Sequence, residues 1–364
     1  MRSTSGQHFI GLDHLRALAA LLVVTWHFIP VGLYPPDAAP SLIPLALFDE
    51  GHTGVSLFMV LSGYLFAKLL DGRRILFRPF VRNRVLRLAP LLLVVCAYQW
   101  SKSPDPVRFL GDLARGFVLP TWPNGGWSIA IELQFYLLLP VILVLGRRTP
   151  WAVVAVVAAA LALRMGVHLG RGNVQDFAYW TLGGRIDQFA AGMLAWRFRA
   201  SFVGRGRTVG LLFAAFALGW WVFDRAGGFY GTRDSIAWVF IPMAEALAWS
   251  ALVAWYDGRT ANALSPPSRL SRAVAFYGDV SYSIYLLHFF WVFKAARDLG
   301  ETGFPMTNVY ALMAAAFGFF LLMGVPAWIT NRCIERPFMR WRRPYAVPLA
   351  PPAPAATQRP VLEY

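Results

Sequence analysis

One apolar stretch, Gly11 to Pro30, has the composition of a membrane-spanning helix and yet carries Asp13, His14, Arg16 and His27. At about 100° per residue, the eleven steps from Arg16 to His27 return to within roughly 20° of one face, over a rise of about 16 Å. Asp13 falls within roughly 60° of both, and His14 points elsewhere. Such a face offers a guanidinium that can hold an anion at one depth. At the other it offers an imidazole that can take a proton from a hydroxyl. Ionisable groups in hydrocarbon are costly unless they face a protein interior or a wet cavity, which makes this span a candidate site by default. A buried ion pair, or side chains snorkelling towards the helix ends, is the plainer account of the same residues.

The elements that would position these groups are also apolar. The 364 residues are 57% hydrophobic and 15% charged, with a mean hydropathy of +0.49. Soluble domains carry about 25% charged residues, so this is the composition of an all-α polytopic membrane protein. A single transmembrane domain is expected over residues 1–343, and a Pro- and Ala-rich stretch, 344–364, is expected as a disordered cytoplasmic tail. Apolar runs at 12–30, 51–70, 84–100, 127–146, 150–169, 181–198, 207–223, 235–256, 273–293 and 307–330 predict ten helices. Lys and Arg concentrate in alternate connections, which by the positive-inside rule places both termini in the cytoplasm, as an even number of crossings requires. The net charge of +15 then marks one membrane face, so anionic lipids are expected partners and nucleic acid is not. Cys96 and Cys333 offer neither a disulfide framework nor a metal site. The charged first span lacks a cleavage signature and is expected to stay in the protein.

This topology assigns depths. His27 lies about one turn below the extracytoplasmic end of the first helix, and Glu132 roughly 7 Å below the same surface on the inward-running fourth. His288 is about a turn from the outer end of the ninth. Three ionisable groups from three helices therefore converge on one depth, where Asp187 can join them, while Glu245 sits nearer mid-membrane. On the opposite side Arg84 and Arg87, at i and i+3, share a face where the chain enters the membrane. Paired guanidiniums there suit a phosphate-bearing ligand or lipid headgroups, whereas Arg73 and Arg74 read as an ordinary basic loop. No nucleophile elbow, metal-ligand spacing or phosphate-cradling Gly-rich loop appears; Gly125–Gly126 and Gly183–Gly184 read as turn and helix-start residues. A general base without its own nucleophile fits direct transfer of a group between two bound substrates. It equally fits a proton-coupled transporter or flippase with a His and Glu relay.

The spacing Arg16-(ten residues)-His27 resembles the hallmark of the membrane-bound acyltransferase family 3, the O-acetyltransferases of bacterial polysaccharide and antibiotic modification. In order along the chain, the segment Gly54 to Leu65 looks like the family's second helix, and Arg84-Val-Leu-Arg87 is similar to its arginine pair. Trp127-Ser128 through Glu132 to Tyr136 resembles its W-S-x-x-x-E-x-x-F-Y signature, and Gly184-Arg185-Ile-Asp187 with Gly192 a later segment. Ser281-Tyr282-Ser283-Ile-Tyr285-Leu-Leu-His288 and Glu335-Arg-Pro337 complete the series. The resemblance covers about 11–337 and implies acyl transfer, most often of acetyl, from cytoplasmic acyl-CoA as co-substrate. The acceptor would be a hydroxyl of a carbohydrate or lipid-linked glycan, and no permanently bound cofactor or metal is implied. His27 would be the base. Arg16, Arg84 and Arg87 would hold the donor, with Asp13 fixing Arg16. Glu132 would order His27 or the acceptor, and Trp127, Ser128 and Tyr136 would shape the site. Ser281, Tyr282, Tyr285 and His288, with Asp187, would line the acceptor side or support helix packing. Glu335 would pair with a nearby Arg at the inner surface. The implied location is the bacterial inner membrane.

Overall fold

Apolar segments without water can satisfy their backbone only within helices or closed barrels, and the computed structural model, which describes residues 9–29, 39–261, 263 and 266–349, is built from helices. In chain order the principal ones are α1 (Ile10–Phe28), α2 (Thr53–Leu69), α3 (Phe77–Lys102), α4 (Gly126–Arg148), α5 (Pro150–Arg171) and α6 (Leu182–Arg197). They continue with α7 (Gly206–Arg225), α8 (Ala237–Ala261), α9 (Arg269–Asp279), α10 (Ser281–Leu287) and α11 (Val309–Thr330). Among the described residues, α4, α5, α7, α8 and the helical run Val309–Met339 are long and apolar enough to cross a membrane, and α2 is apolar but shorter. The fold is all-α and membrane-embedded.

Burial shows which helix is central. Thirteen of the nineteen residues of α1 are buried and none is exposed, and it packs against α2, α8, α9, α10 and α11. By contrast α5 buries only Val153, Ala160 and Arg164, one narrow stripe, and exposes Leu163 and Leu169. An apolar face turned outward is what lipid as solvent permits. The tightest helix pair is α2 against α6. A Cβ on Gly63 would collide with the carbonyl oxygen of Phe189, so this approach requires a residue without a side chain.

Two expectations need correction. The ninth apolar run is not one helix: α9 ends at Asp279, α10 at Leu287, and a tightened 3₁₀ turn spans His288–Phe290 before a short surface helix, Val292–Glu301. Gly278 and Asp279 mark the first joint in the sequence, but the turn at His288 lies within a continuous apolar run that does not mark it. The expected tail also begins too early. Ala346–Pro348 (β2) pairs antiparallel with Arg73–Ile75 (β1), with Arg74 opposite Val347, so the supposed basic loop and the start of the tail form a two-stranded ribbon. Tyr345 is buried beside it. Residues 350–364, and Pro30 at the end of the first span, lie outside the described residues.

The outer helix α5 is pinned by charge. Arg164, fully buried, donates to Asp187 Oδ2 at 2.7 Å, and to the carbonyls of Val239 and Gly184 at 2.7 Å each, tying α5 to α6 and α8. A buried charge stripped of its partner is left without compensation. Arg164→Leu alone is therefore expected to cost about 3–5 kcal/mol, read as a lowered unfolding midpoint of the purified protein. Combining it with Asp187→Leu is expected to recover most of that loss.

Candidate active site

The side chains that could do chemistry gather around a cavity of about 120 Å³ in the middle of the bundle. Its walls come from α1 (Arg16), α2 (Ser62, Phe66), α3 (Arg84, Arg87, Leu88), α4 (Ser128, Glu132, Tyr136) and α10 (Ser281, Tyr282, Tyr285). At one end three guanidiniums from two helices converge. Arg16 is held by Asp13 at 2.7 Å, the i, i+3 partner one turn back on the same helix. Arg84 is enclosed by the rings of Phe66, Phe80, Tyr136 and Tyr345, with centroids 5.2, 5.7, 5.9 and 5.8 Å away. Aromatic faces hold a cation in place without neutralising it, which keeps its charge available to a ligand. Arg87 lies one helical turn further along α3. His14, as its angle on the helix requires, turns away to Tyr256 Oη at 2.8 Å and to the Ser271 carbonyl at 2.9 Å.

In the middle, Glu132 accepts hydrogen bonds from Ser62 Oγ at 2.9 Å and from the Tyr136 hydroxyl. Ser128 Oγ donates to the Tyr285 hydroxyl at 2.7 Å, which in turn donates to the Gly125 carbonyl at 3.1 Å. Tyr282 caps the α3 side through its hydroxyl to the Leu88 carbonyl. Beyond Tyr285, whose ring lies 6.1 Å from that of His288, the two histidines meet: His288 Nε2 is 3.3 Å from His27 Nδ1. Carbonyls can only accept, so the contact of His27 Nδ1 with the Val23 carbonyl at 2.8 Å assigns the proton to Nδ1. That leaves the His27 lone pair on Nε2, the tautomer of a base. His288 Nδ1, 3.1 Å from the Ile284 carbonyl, is protonated by the same argument, and its Nε2 faces His27 as an acceptor.

The expected constellation therefore divides. Arg16, Arg84, Arg87, Ser128, Glu132, Tyr136, Ser281, Tyr282 and Tyr285 share one cavity, and His27 joins His288. Glu132 does not join that pair; its hydrogen bonds among the described residues go to Ser62 and Tyr136. Asp187 is not at the site but is spent on Arg164. Trp127 packs against Tyr179 and Trp180, outside the cavity wall. Glu335 accepts from Ser283 Oγ and lies within electrostatic reach of Arg87. Ser62 and Arg164 escaped notice. A serine in an apolar run carries no period of its own, and the inward face of Arg164 is set by its packing.

Several known proteins are similar. A family model described as "Acyltransferase domain" matches residues 9–330. The exopolysaccharide production protein ExoZ of Rhizobium meliloti is 29% identical over 314 residues, 80% of this chain and 91% of that one. BcsY of Komagataeibacter xylinus, named as a membrane-bound transacylase, is 26% identical over 313 residues, 76% of this chain and 71% of its own. YrhL of Bacillus subtilis, named for peptidoglycan O-acetylation, is 29% identical over 207 residues, 47% of this chain and 30% of its own. No solved structure is significantly similar.

The turn before α4 aims the Ser128–Tyr285 pair. Gly125 has φ +71°, and a Cβ there would stand 2.9 Å from both the Tyr285 hydroxyl and the Phe289 ring. Gly125→Ala is expected to cost at least about 1–2 kcal/mol for the left-handed backbone alone, read in the unfolding midpoint; an unchanged midpoint would remove this turn from the account of the site.

Proposed function

The chain belongs to the acyltransferase family whose domain model spans residues 9–330, and from that premise we propose that it moves an acyl group, acetyl in the simplest case, from cytoplasmic acyl-CoA to a hydroxyl of a glycan or lipid-linked glycan. Family membership selects enzymatic O-acyl transfer over transport. The observation that carries the finer reading is the placement of the cavity arginines near one end of α1 and of the histidine pair, outside the cavity's lining and beyond Tyr285, near the other. The relatives named for exopolysaccharide production and for peptidoglycan O-acetylation support a carbohydrate acceptor.

In this reading Arg16, Arg84 and Arg87 hold the phosphate-bearing donor, and its thioester extends past Glu132 and Tyr136 towards Tyr285. Glu132 orders the donor-side wall through Ser62 and Tyr136. The acceptor hydroxyl gives its proton to His27 Nε2 as its oxygen bonds to the thioester carbon. The C–S bond then breaks, and the departing thiolate recovers the proton from the imidazolium. His288 Nε2 shares the His27 Nδ1–H with the Val23 carbonyl, and together they fix the ring and stabilise the charge that forms there. Acyl-CoA is consumed as co-substrate, and no resident cofactor enters. The ten apolar segments cross the inner membrane of a bacterium, with both termini cytoplasmic and the histidines towards the outer leaflet.

Two measurements bear on this. His27→Ala is expected to lower acyl transfer by about 10²- to 10⁴-fold while CoA binding to the purified protein persists. Loss of the folded protein instead would return His27 to a packing role, and a wild type that neither binds nor consumes acetyl-CoA would sink the donor assignment. A topology reporter fused after Arg148 is expected to read cytoplasmic; an extracytoplasmic signal would overturn the orientation.

A further inference from the structure

A fourth guanidinium, outside the cavity's lining, comes close to two of the cavity arginines from the far end of the sequence. Arg342 follows the last long helix and lies within electrostatic reach of both Arg84 and Arg87. It is not carried there by a loose terminus. Asn83, on α3 itself, clasps the next residue from both sides: its Nδ2 donates to the Arg343 carbonyl at 2.7 Å, and the Arg343 N–H donates to its Oδ1 at 3.0 Å. The Leu76 N–H donates to the Tyr345 carbonyl at 2.7 Å, and the Tyr345 ring, 2% exposed, seats 5.4 Å from Phe80 and 5.8 Å from the Arg84 guanidinium. The β1–β2 ribbon locks the strand that follows. The chain from 340 to 349 is thus a strap laced onto the start of the helix that bears Arg84 and Arg87.

That strap holds like charges together at a cost. Among the described residues, Arg84 Nε and Arg342 Nε are both buried without a hydrogen-bond partner, and Arg342 Nη2 meets the thioether of Met339 at 2.6 Å. Burial, followed by the charges of Arg87 and Arg84, pushes the Arg342 guanidinium down to about 10. Desolvated donors of one sign, fixed by hydrogen bonds that do not involve their own charge, are the arrangement that a phosphate oxygen completes. We propose that Arg342, positioned by the strap, and Arg84 form a phosphate subsite that takes the nucleotide end of the acyl-CoA donor. This rests on the acyl-CoA reading above and extends the donor site beyond the residues resembling family motifs. The same oxygens could come from a lipid headgroup, which the test separates.

CoA binding is measured by calorimetry on the full chain in phosphatidylcholine nanodiscs. Arg342→Gln is expected to weaken CoA about tenfold, the loss of one charge-assisted contact, and Arg342→Lys to weaken it less, with unfolding midpoints no lower than that of the wild type. Pantetheine, which lacks phosphate, should bind wild type and R342Q alike. CoA binding equal in wild type and R342Q overturns the subsite alone, whereas a wild type that binds no CoA overturns the donor assignment with it. Equal losses for CoA and pantetheine would make Arg342 a packing residue. A deficit that appears only when phosphatidylglycerol is added would give the site to a lipid headgroup and also overturn the proposal.

Discussion

The structure is governed by the cost of placing polar side chains where lipid is the outer solvent. Each such group must find a partner on another helix or an enclosed space, and the helices arrange themselves to supply one. Glu132 on α4 meets Ser62 on α2. Lys68, at the end of α2, binds Asp257 on α8 at 2.7 Å, with the Tyr64 hydroxyl on the same carboxylate at 2.8 Å. Arg164 on α5 meets Asp187 on α6, and His27 on α1 meets His288 beyond α10. Helix α1 carries ionisable groups along its length and so sits in the centre, walled by its neighbours. The peripheral helices α5 and α7 need only one inward stripe.

Two polar systems share the bundle, and their separation explains the division of the site. Behind the cavity, Arg185 donates to the Tyr179 carbonyl at 2.7 Å and to Ser56 and Gln188 at 3.1 Å each. Gln188 passes the network to Glu245 on α8 at 3.1 Å. This system joins α2, α6 and α8, and with Arg164–Asp187 it holds the wall from which only Phe189 of α6 reaches the cavity. Asp187, the α6 residue expected at the site, belongs to this scaffold. The cavity polar groups lie on the other face of α2, so one helix serves both systems, with Ser56 turned to the scaffold and Ser62 to the cavity.

Much of the candidate site was legible because helical geometry determines which residues of one segment share a face. Arg16 and Asp13 pair as their spacing requires, His14 turns away, and Arg84 and Arg87 open onto one space. Depth was legible too, since the count of residues from a helix end converts directly to rise; it brought His27 and His288 to one level. Depth does not determine azimuth. Glu132 stands on a wall whose rotation about its own axis depends on what packs behind it, and its partners proved to be Ser62 and Tyr136. Asp187 failed as a site residue for the same reason, because the side facing it belongs to Arg164.

The sequence by itself determined that the chain is membrane-embedded and helical, that α1 bears a cation and an imidazole along one face, and that a second pair of arginines enters beside it. These follow from composition and from the 3.6-residue period, properties of a segment alone. Only the tertiary structure decided that the ninth run is broken, so that a tightened turn delivers His288 to a histidine 261 residues earlier. It also decided that the first part of the expected tail folds back as a strap over Arg84. Both depend on contacts between segments distant in the chain, whose energies come from which faces meet, and no local period carries that information.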